Sequence, residues 1–142
     1  MTKSIPSIYY QQQLIYASLD DFNPNSALPY LHGGQFSENS AEWREAVIDF
    51  LCTNLECGLL ELVHYSSFKG KDGADWLRNV LNNGYEDKGM DAEILWNALY
   101  FTGSERLVAV VSKFGMHDWT QLKSALNHEL IAELTEACPL PH

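Results

Sequence analysis

The sequence is short of positive charge and of long apolar runs. Lys and Arg together number 9 against 19 Asp and Glu in 142 residues, which gives a formal net charge of -10. A field of that sign repels nucleic acid and anionic membranes and attracts basic partners. No apolar run approaches the roughly 20 residues that a membrane-spanning helix requires. We therefore expect no nucleic-acid partner and no membrane insertion.

Cysteine is also scarce. Cys52, Cys57 and Cys138 are odd in number, and their spacing fits neither a CxxC motif nor a zinc site. No N-terminal stretch combines a basic start, an apolar run and a small-residue cleavage site. These features predict buried free thiols in a reducing compartment, so we expect a cytoplasmic protein.

Length and composition indicate one globular domain over residues 1–142. The hydrophobic share of 46% is ordinary for a globular chain, and this length can bury a substantial core. Apolar spacing predicts a helix over 7–22, and Pro, Gly and Asn then predict a loop over 23–35 that wraps the domain. The clearest helix follows a cap at Asn39, buries the face of Trp43, Val47, Phe50, Leu51 and Leu55, and ends at Gly58.

The second half of the chain alternates short elements with turns. The patterns first predict a strand over 59–67, a connector over 68–73, a short helix from Trp76 to Leu81 and a loop over 85–89. They then predict a helix over 90–101, a strand or a helix over 104–114, and a long helix over 118–138. In the helix over 90–101, the residues expected to face inward are Ile94, Leu95, Ala98 and Leu99. We therefore expect an α+β fold, helix-dominated, with a small two- or three-stranded sheet. The alternative is an all-α fold.

Catalytic motifs are weak in this sequence. His117–Asp118 is a dipeptide of the kind that supplies metal ligands in some phosphohydrolases, but only His64 and His128 could assist it. Asp118 is better explained as a helix cap, and no GxSxG nucleophile elbow is present. We expect no enzyme activity, no metal and no cofactor. A small hydrolase using His117 and Asp118 ranks last among the functions considered.

Acidic residues concentrate on the polar sides of two predicted helices. On the helix that ends at Gly58, four carboxylates lie opposite the apolar face, and Arg44 is the nearby cation in the sequence. The last predicted helix repeats the pattern with Glu129, Glu133 and Glu136. Clustered carboxylates repel one another unless a cation relieves them. These faces are either simply solvated or a docking surface for a strongly basic protein.

The phrase FLCTNLECGLLEL resembles a helix–Gly–strand pattern, FLxxxLxxGxLxL, of small acidic immunity proteins. The matching positions are Phe50, Leu51, Leu55, Gly58, Leu60 and Leu62. These immunity proteins belong to bacterial toxin–immunity pairs of the contact-dependent growth inhibition type. The resemblance covers about a tenth of the chain, and most of the matching residues are of the kind that form a core.

The resemblance implies a cytoplasmic, non-enzymatic protein that binds a cognate toxin domain, often a basic nuclease, and neutralises it. Carboxylates would pair with toxin Lys and Arg, and aromatic side chains would anchor the interface. The expected partner-binding residues are Glu42, Glu45, Asp49, Glu56, Tyr85, Glu86, Asp87, Trp96 and Tyr100. The alternative is an acidic secretion chaperone or adaptor that binds an effector segment, for which the helix over 118–138 could serve.

Overall fold

The computed structural model describes residues 5–38, 40–63 and 73–139. Within these ranges the elements are α1 (Ser7–Leu19), α2 (Ser40–Cys57), β1 (Leu60–Val63), α3 (Ala74–Asn83), α4 (Ala92–Ala98), β2 (Tyr100–Gly103), α5 (Glu105–Lys113) and α6 (His128–Ala137). Short 3-10 helical turns occupy Pro24–Ser26, Leu31–Phe36, Glu86–Lys88 and Trp119–Lys123. The predicted helix-dominated α+β class is confirmed.

The sheet pairs β1 and β2 in antiparallel register, with Leu60 opposite Gly103. Phe22 adds an isolated bridge to Phe101, so the chain after α1 runs along the far side of β2. Gly103 has no room for a side chain, because a Cβ there would lie 2.8 Å from the carbonyl oxygen of Ala17. A glycine at this position therefore allows α1 to pack directly on the strand.

The core is centred on α2, whose predicted apolar face is buried at Trp43, Val47 and Leu51. The Trp43 indole N–H donates to the carbonyl oxygens of Ala27 and Leu28, at 3.0 and 3.1 Å, and so holds the predicted wrapping loop against the core. As a buried donor it needs such a partner. None of the helices in the described ranges is long and apolar enough to cross a membrane.

The glycine predicted to end α2 does so. Gly58 has φ of +79°, a left-handed conformation that glycine adopts without strain, and β1 begins two residues later. The strand is shorter in the described residues than the predicted 59–67. Residues 64–67, most of the predicted connector and the predicted cap Asn39 lie outside the described ranges.

The helix predicted over 90–101 is wrong at its C-terminal end. It ends at Ala98, and Tyr100 and Phe101 belong to β2. The backbone of Phe101 exchanges two hydrogen bonds with Phe22, at 2.8 and 2.9 Å, while β1 pairs with its other edge. Contacts distant in sequence therefore override local helix propensity. Residues 104–114, which local pattern left open, form α5, with the Ser104 side chain accepting from the backbone N–H of Leu107.

The long helix predicted over 118–138 is also wrong, because the chain breaks between the 3-10 turn at Trp119–Lys123 and α6. The buried amide of Gln11 clamps this break: its nitrogen donates to the Ala125 carbonyl at 3.2 Å, and its oxygen accepts from the Asn127 N–H at 2.7 Å. Asn127 then starts α6, since its side chain accepts from the N–H of Leu130 at 3.0 Å.

The expectation of three free thiols is wrong for two of them. Cys57 and Cys138 form a disulfide, with their Cα atoms 5.4 Å apart, that joins the end of α2 to the end of α6. The two residues are 81 positions apart, so their spacing gave no sign of the pairing. Cys52 is a buried free thiol, as predicted.

Candidate functional site

The acidic face of α2 is partly neutralised by residues from other helices. Arg78 on α3 places its guanidinium 2.8 Å from Asp49 Oδ1, and the Asp49 side chain is mostly buried. The charge of Asp49 is therefore already paired within the protein, and its role in partner binding stays a prediction. The sequence showed Arg44 as the nearby cation, whereas the fold supplies a second one.

The remaining α2 carboxylates differ in their surroundings. Glu42 lies 3.7 Å from His32 Nε2. Glu45 and Glu56 are exposed, and neither has an ion pair with a described residue. Glu56 lies about 16 Å further along the helix than Glu45, at 1.5 Å per residue, next to the disulfide. The predicted stripe is therefore not one uniform patch.

Trp96 is not a surface anchor. Its side chain is 0% exposed, its ring centroid lies 5.6 Å from that of Trp43, and its indole N–H donates to the Leu81 carbonyl at 2.8 Å. The Arg44 guanidinium covers the ring at 4.0 Å from its centre. A docked partner could not reach this indole, so its predicted role in binding is corrected to core packing.

The turn between α3 and α4 carries three of the predicted residues, of which Glu86 and Asp87 lie on the surface, while Tyr85 is half-buried and packs edge-on against Trp76 at 5.7 Å. The backbones of Tyr85 and Met90 bond to each other at 2.7 and 3.1 Å, and this closes a short turn that presents Glu86 and Asp87. Both carboxylates are exposed, and neither has an ion pair within the described part of the chain. Tyr100 is 42% exposed at the start of β2.

Sequence reasoning missed Ile94, which was predicted to face inward but is 46% exposed. Leu95, Trp96 and Leu99 form the buried side of α4, and Ile94 therefore falls on the outer side with Glu93. That i, i+1, i+4 spacing was visible in the sequence and could have identified Ile94 as exposed.

Arg44 connects α2 to α4, because its Nη1 atom lies 3.2 Å from Glu93 Oε1. The N-terminal half of α2 and the outer side of α4 are thus neighbours. We call this region the acidic surface. By this name we mean the exposed residues that these two helices, the turn before α4 and the start of β2 carry, namely Glu42, Glu45, Glu86, Asp87, Glu93, Ile94 and Tyr100. Apolar side chains beside carboxylates give it the composition of a protein-docking site.

The acids of the predicted last helix fall on α6. Glu133 pairs with Lys113 of α5 at 2.6 Å, while Glu129 and Glu136 are exposed. These two carboxylates have no exposed large apolar neighbour on their own helix. They provide a natural comparison for the acidic surface.

Asp118 acts as a cap. Its Oδ1 accepts from the Thr120 N–H at 2.8 Å and from the Thr120 hydroxyl at 2.9 Å, and these hydrogen bonds lower the pKa of the carboxyl. His117 Nδ1 lies 3.2 Å from Ser18 Oγ. Across the described ranges, no three His, Cys, Asp or Glu side chains cluster closely enough to hold a metal ion.

A second surface feature was not anticipated from the sequence. A half-open groove of about 650 Å³ runs between α1, the loop around Leu28 and the 3-10 turn at Trp119–Lys123. Tyr9, Gln13 and Tyr16 line it from α1 at positions i, i+4 and i+7. Local spacing in α1 indicates only its apolar face, and the opposite wall of the groove comes from distant segments.

No protein-family model matches this chain, and no curated protein or solved structure is significantly similar to it. The function must therefore be argued from the chemistry of these two surfaces.

Proposed function

We propose that this protein is a non-enzymatic immunity protein that binds a basic, nuclease-like toxin domain through the acidic surface and neutralises it. The observation that carries the proposal is the exposure of Ile94 beside Glu93 on α4, together with exposed Glu86 and Asp87 on the turn before α4, whose charges have no ion pair among the described residues. Stable interfaces combine apolar and aromatic anchors with a charged rim.

The proposed mechanism is occlusion of a basic cleft. A nuclease must present Lys and Arg to phosphates, and the carboxylates of Glu86 and Asp87 would occupy those cations in place of nucleic acid. The net charge of -10 would steer a basic domain toward the protein and raise the association rate. Glu93 is already paired with Arg44, so we expect it to contribute less to binding than Glu86 and Asp87.

We place this action in the cytoplasm, where a nuclease toxin would reach its substrate. Disulfides are uncommon in that reducing compartment, so the Cys57–Cys138 pair would be open there for part of the time. Leu130 and Leu134 of α6 are buried in the core and would keep the helix docked when the thiols are reduced. The acidic surface does not include either cysteine.

The test is co-purification with the protein encoded immediately upstream, followed by affinity measurements on paired charge reversals. Glu86→Lys with Asp87→Lys should weaken binding by about 100-fold or more, because close charge pairs across an interface become repulsive. Glu129→Lys with Glu136→Lys changes the net charge equally, but on α6, and should weaken it by only about threefold. Tyr100→Ala should lower the affinity for the partner about 30-fold, the usual loss for an aromatic hot spot.

Equal losses in the two charge-reversed proteins would contradict the assignment of the acidic surface. Binding only to an unfolded segment of the upstream protein would instead support a secretion chaperone. For that alternative the single helix predicted over 118–138 no longer provides a platform, since the chain breaks before α6.

A further inference from the structure

The groove beside α1 differs in character from the rest of this acidic protein. Of the described residues that line it, Tyr9, Tyr16 and Tyr30 are aromatic, Leu28 and Leu122 are apolar, and none is an Asp or Glu. Its volume of about 650 Å³ is within the range of small-molecule sites, roughly 300 to 1,000 Å³. The groove is therefore a local exception in a chain with a net charge of -10.

Gln13 brings an unused hydrogen-bond donor to this groove. The residue is only 4% exposed, and its side-chain oxygen accepts from the Leu28 N–H at 2.7 Å. That bond fixes which end of the amide is oxygen. The amide nitrogen forms no hydrogen bond with any described residue, so it is free to donate to an acceptor in the groove. An acceptor atom on a ligand would satisfy it.

Lys123 supplies positive charge at the same groove. It has no ion pair with a described residue, whereas Arg44, Arg78 and Lys113 each contact a carboxylate. Since no acid lines the groove, its ammonium group is available to an external anion. The nearly buried amide and the unpaired lysine together favour a ligand that carries a carboxylate.

The walls of the groove favour a flat ring. The ring centroids of Tyr9 and Tyr30 lie 6.5 Å apart, and Tyr16 packs edge-on against the half-exposed Trp119 at 5.3 Å. Aromatic faces and edges of this kind hold another ring by offset or edge-to-face stacking.

We propose that the groove is a binding site for a small planar aromatic carboxylate. The ring stacks against the tyrosines that line the groove, and the carboxylate pairs with Lys123 and accepts from the Gln13 amide. The site is separate from the acidic surface, so the proposal does not depend on the toxin-binding function.

The experiment is a calorimetric titration of the full-length protein with 2-naphthoate, compared with its neutral analogue 2-naphthylmethanol. We expect 2-naphthoate to bind and the neutral analogue to bind at least about 10-fold more weakly, because it cannot pair with an ammonium group. Lys123→Met should also lower the affinity for 2-naphthoate by about 10-fold. Lys88→Met removes another lysine that has no ion pair with a described residue, and it should leave the affinity unchanged.

Gln13→Glu provides a sharper test of the donor. One carboxylate oxygen can still accept from the Leu28 N–H, while the other replaces the amide nitrogen with a negative charge, so binding should be lost. If this variant fails to fold, Lys123→Met and the neutral analogue still test whether the groove binds the carboxylate. The proposal is overturned if 2-naphthoate does not bind, if Lys123→Met leaves its affinity unchanged, or if only a proline-rich peptide occupies the groove.

Discussion

Single residues on α2 show why a charge pattern in sequence is incomplete. The four acids were correctly placed away from the apolar face, but whether each is free depends on side chains from α3 and α4. Asp49 is mostly buried and paired with Arg78, whereas Glu93, the partner of Arg44, is 73% exposed. Ion pairs lose most of their strength to water when exposed. The two pairs should therefore differ in their contribution to stability.

A double-mutant cycle with Asp49→Asn and Arg78→Met should give a coupling energy of about 1 kcal/mol in urea unfolding. The matched cycle with Glu93→Gln and Arg44→Met should give roughly 0.3 kcal/mol. Equal coupling in the two cycles would show that the burial of Asp49 does not strengthen its ion pair.

Cys52 should make stability depend on alkaline pH. Burial, helped by nearby acids and opposed by Arg78, raises the pKa of this thiol from 9.0 to about 11. The folded state therefore favours the neutral thiol, and this contribution is complete below pH 9 and is lost as pH rises toward 11. Cys52→Ala should reduce the fall in the free energy of unfolding across that window. An identical fall in the variant would contradict the assigned pKa.

At the scale of elements, the predictions held where one stretch of sequence decides the outcome. The apolar face of α2, its end at Gly58 and the presence of α3 needed only local spacing and a glycine. The predictions failed where a group distant in sequence competes with the local pattern. Phe22 takes Phe101 into the sheet, and Gln11 clamps the break before α6. The local helical periodicity of these segments does not indicate either of these distant contacts.

Removing the side-chain cap at the start of α6 should destabilise the folded protein measurably. Asn127→Ala leaves the Leu130 N–H without its side-chain acceptor and should lower the free energy of unfolding by about 1 kcal/mol. Asn127→Asp keeps an acceptor there and should stay within about 0.5 kcal/mol of the wild type. If both substitutions are equally costly in urea unfolding, the side chain does not act as a cap.

At the scale of the whole molecule, the order of predicted elements gave the class of fold and composition gave the acidic field, but neither predicted the disulfide that joins α2 to α6. The double substitution Cys57→Ser with Cys138→Ser removes a crosslink between residues 81 positions apart and so increases the conformational entropy of the unfolded chain. It should lower the free energy of unfolding by up to about 4 kcal/mol. Partner affinity should not change, because the acidic surface lies elsewhere. Far-ultraviolet circular dichroism should stay native, and a loss of partner binding by a folded double variant would contradict this separation.

The candidate site was likewise only partly predictable. Glu86, Asp87 and Tyr100 were identified from their types and positions and are exposed, whereas Tyr85 is half-buried against Trp76. Trp96 was placed there wrongly, because aromatic side chains suit a core and an interface equally well. The groove beside α1 was missed, since its walls come from segments about a hundred residues apart.

The most direct measurement of the central claim is the salt dependence of the affinity between this protein and the upstream-encoded protein. A one-to-one complex whose dissociation constant rises steeply with salt, with a smaller slope for Glu86→Lys with Asp87→Lys, is the result we predict. A dissociation constant that does not respond to salt, or the absence of a complex, would contradict docking through the acidic surface.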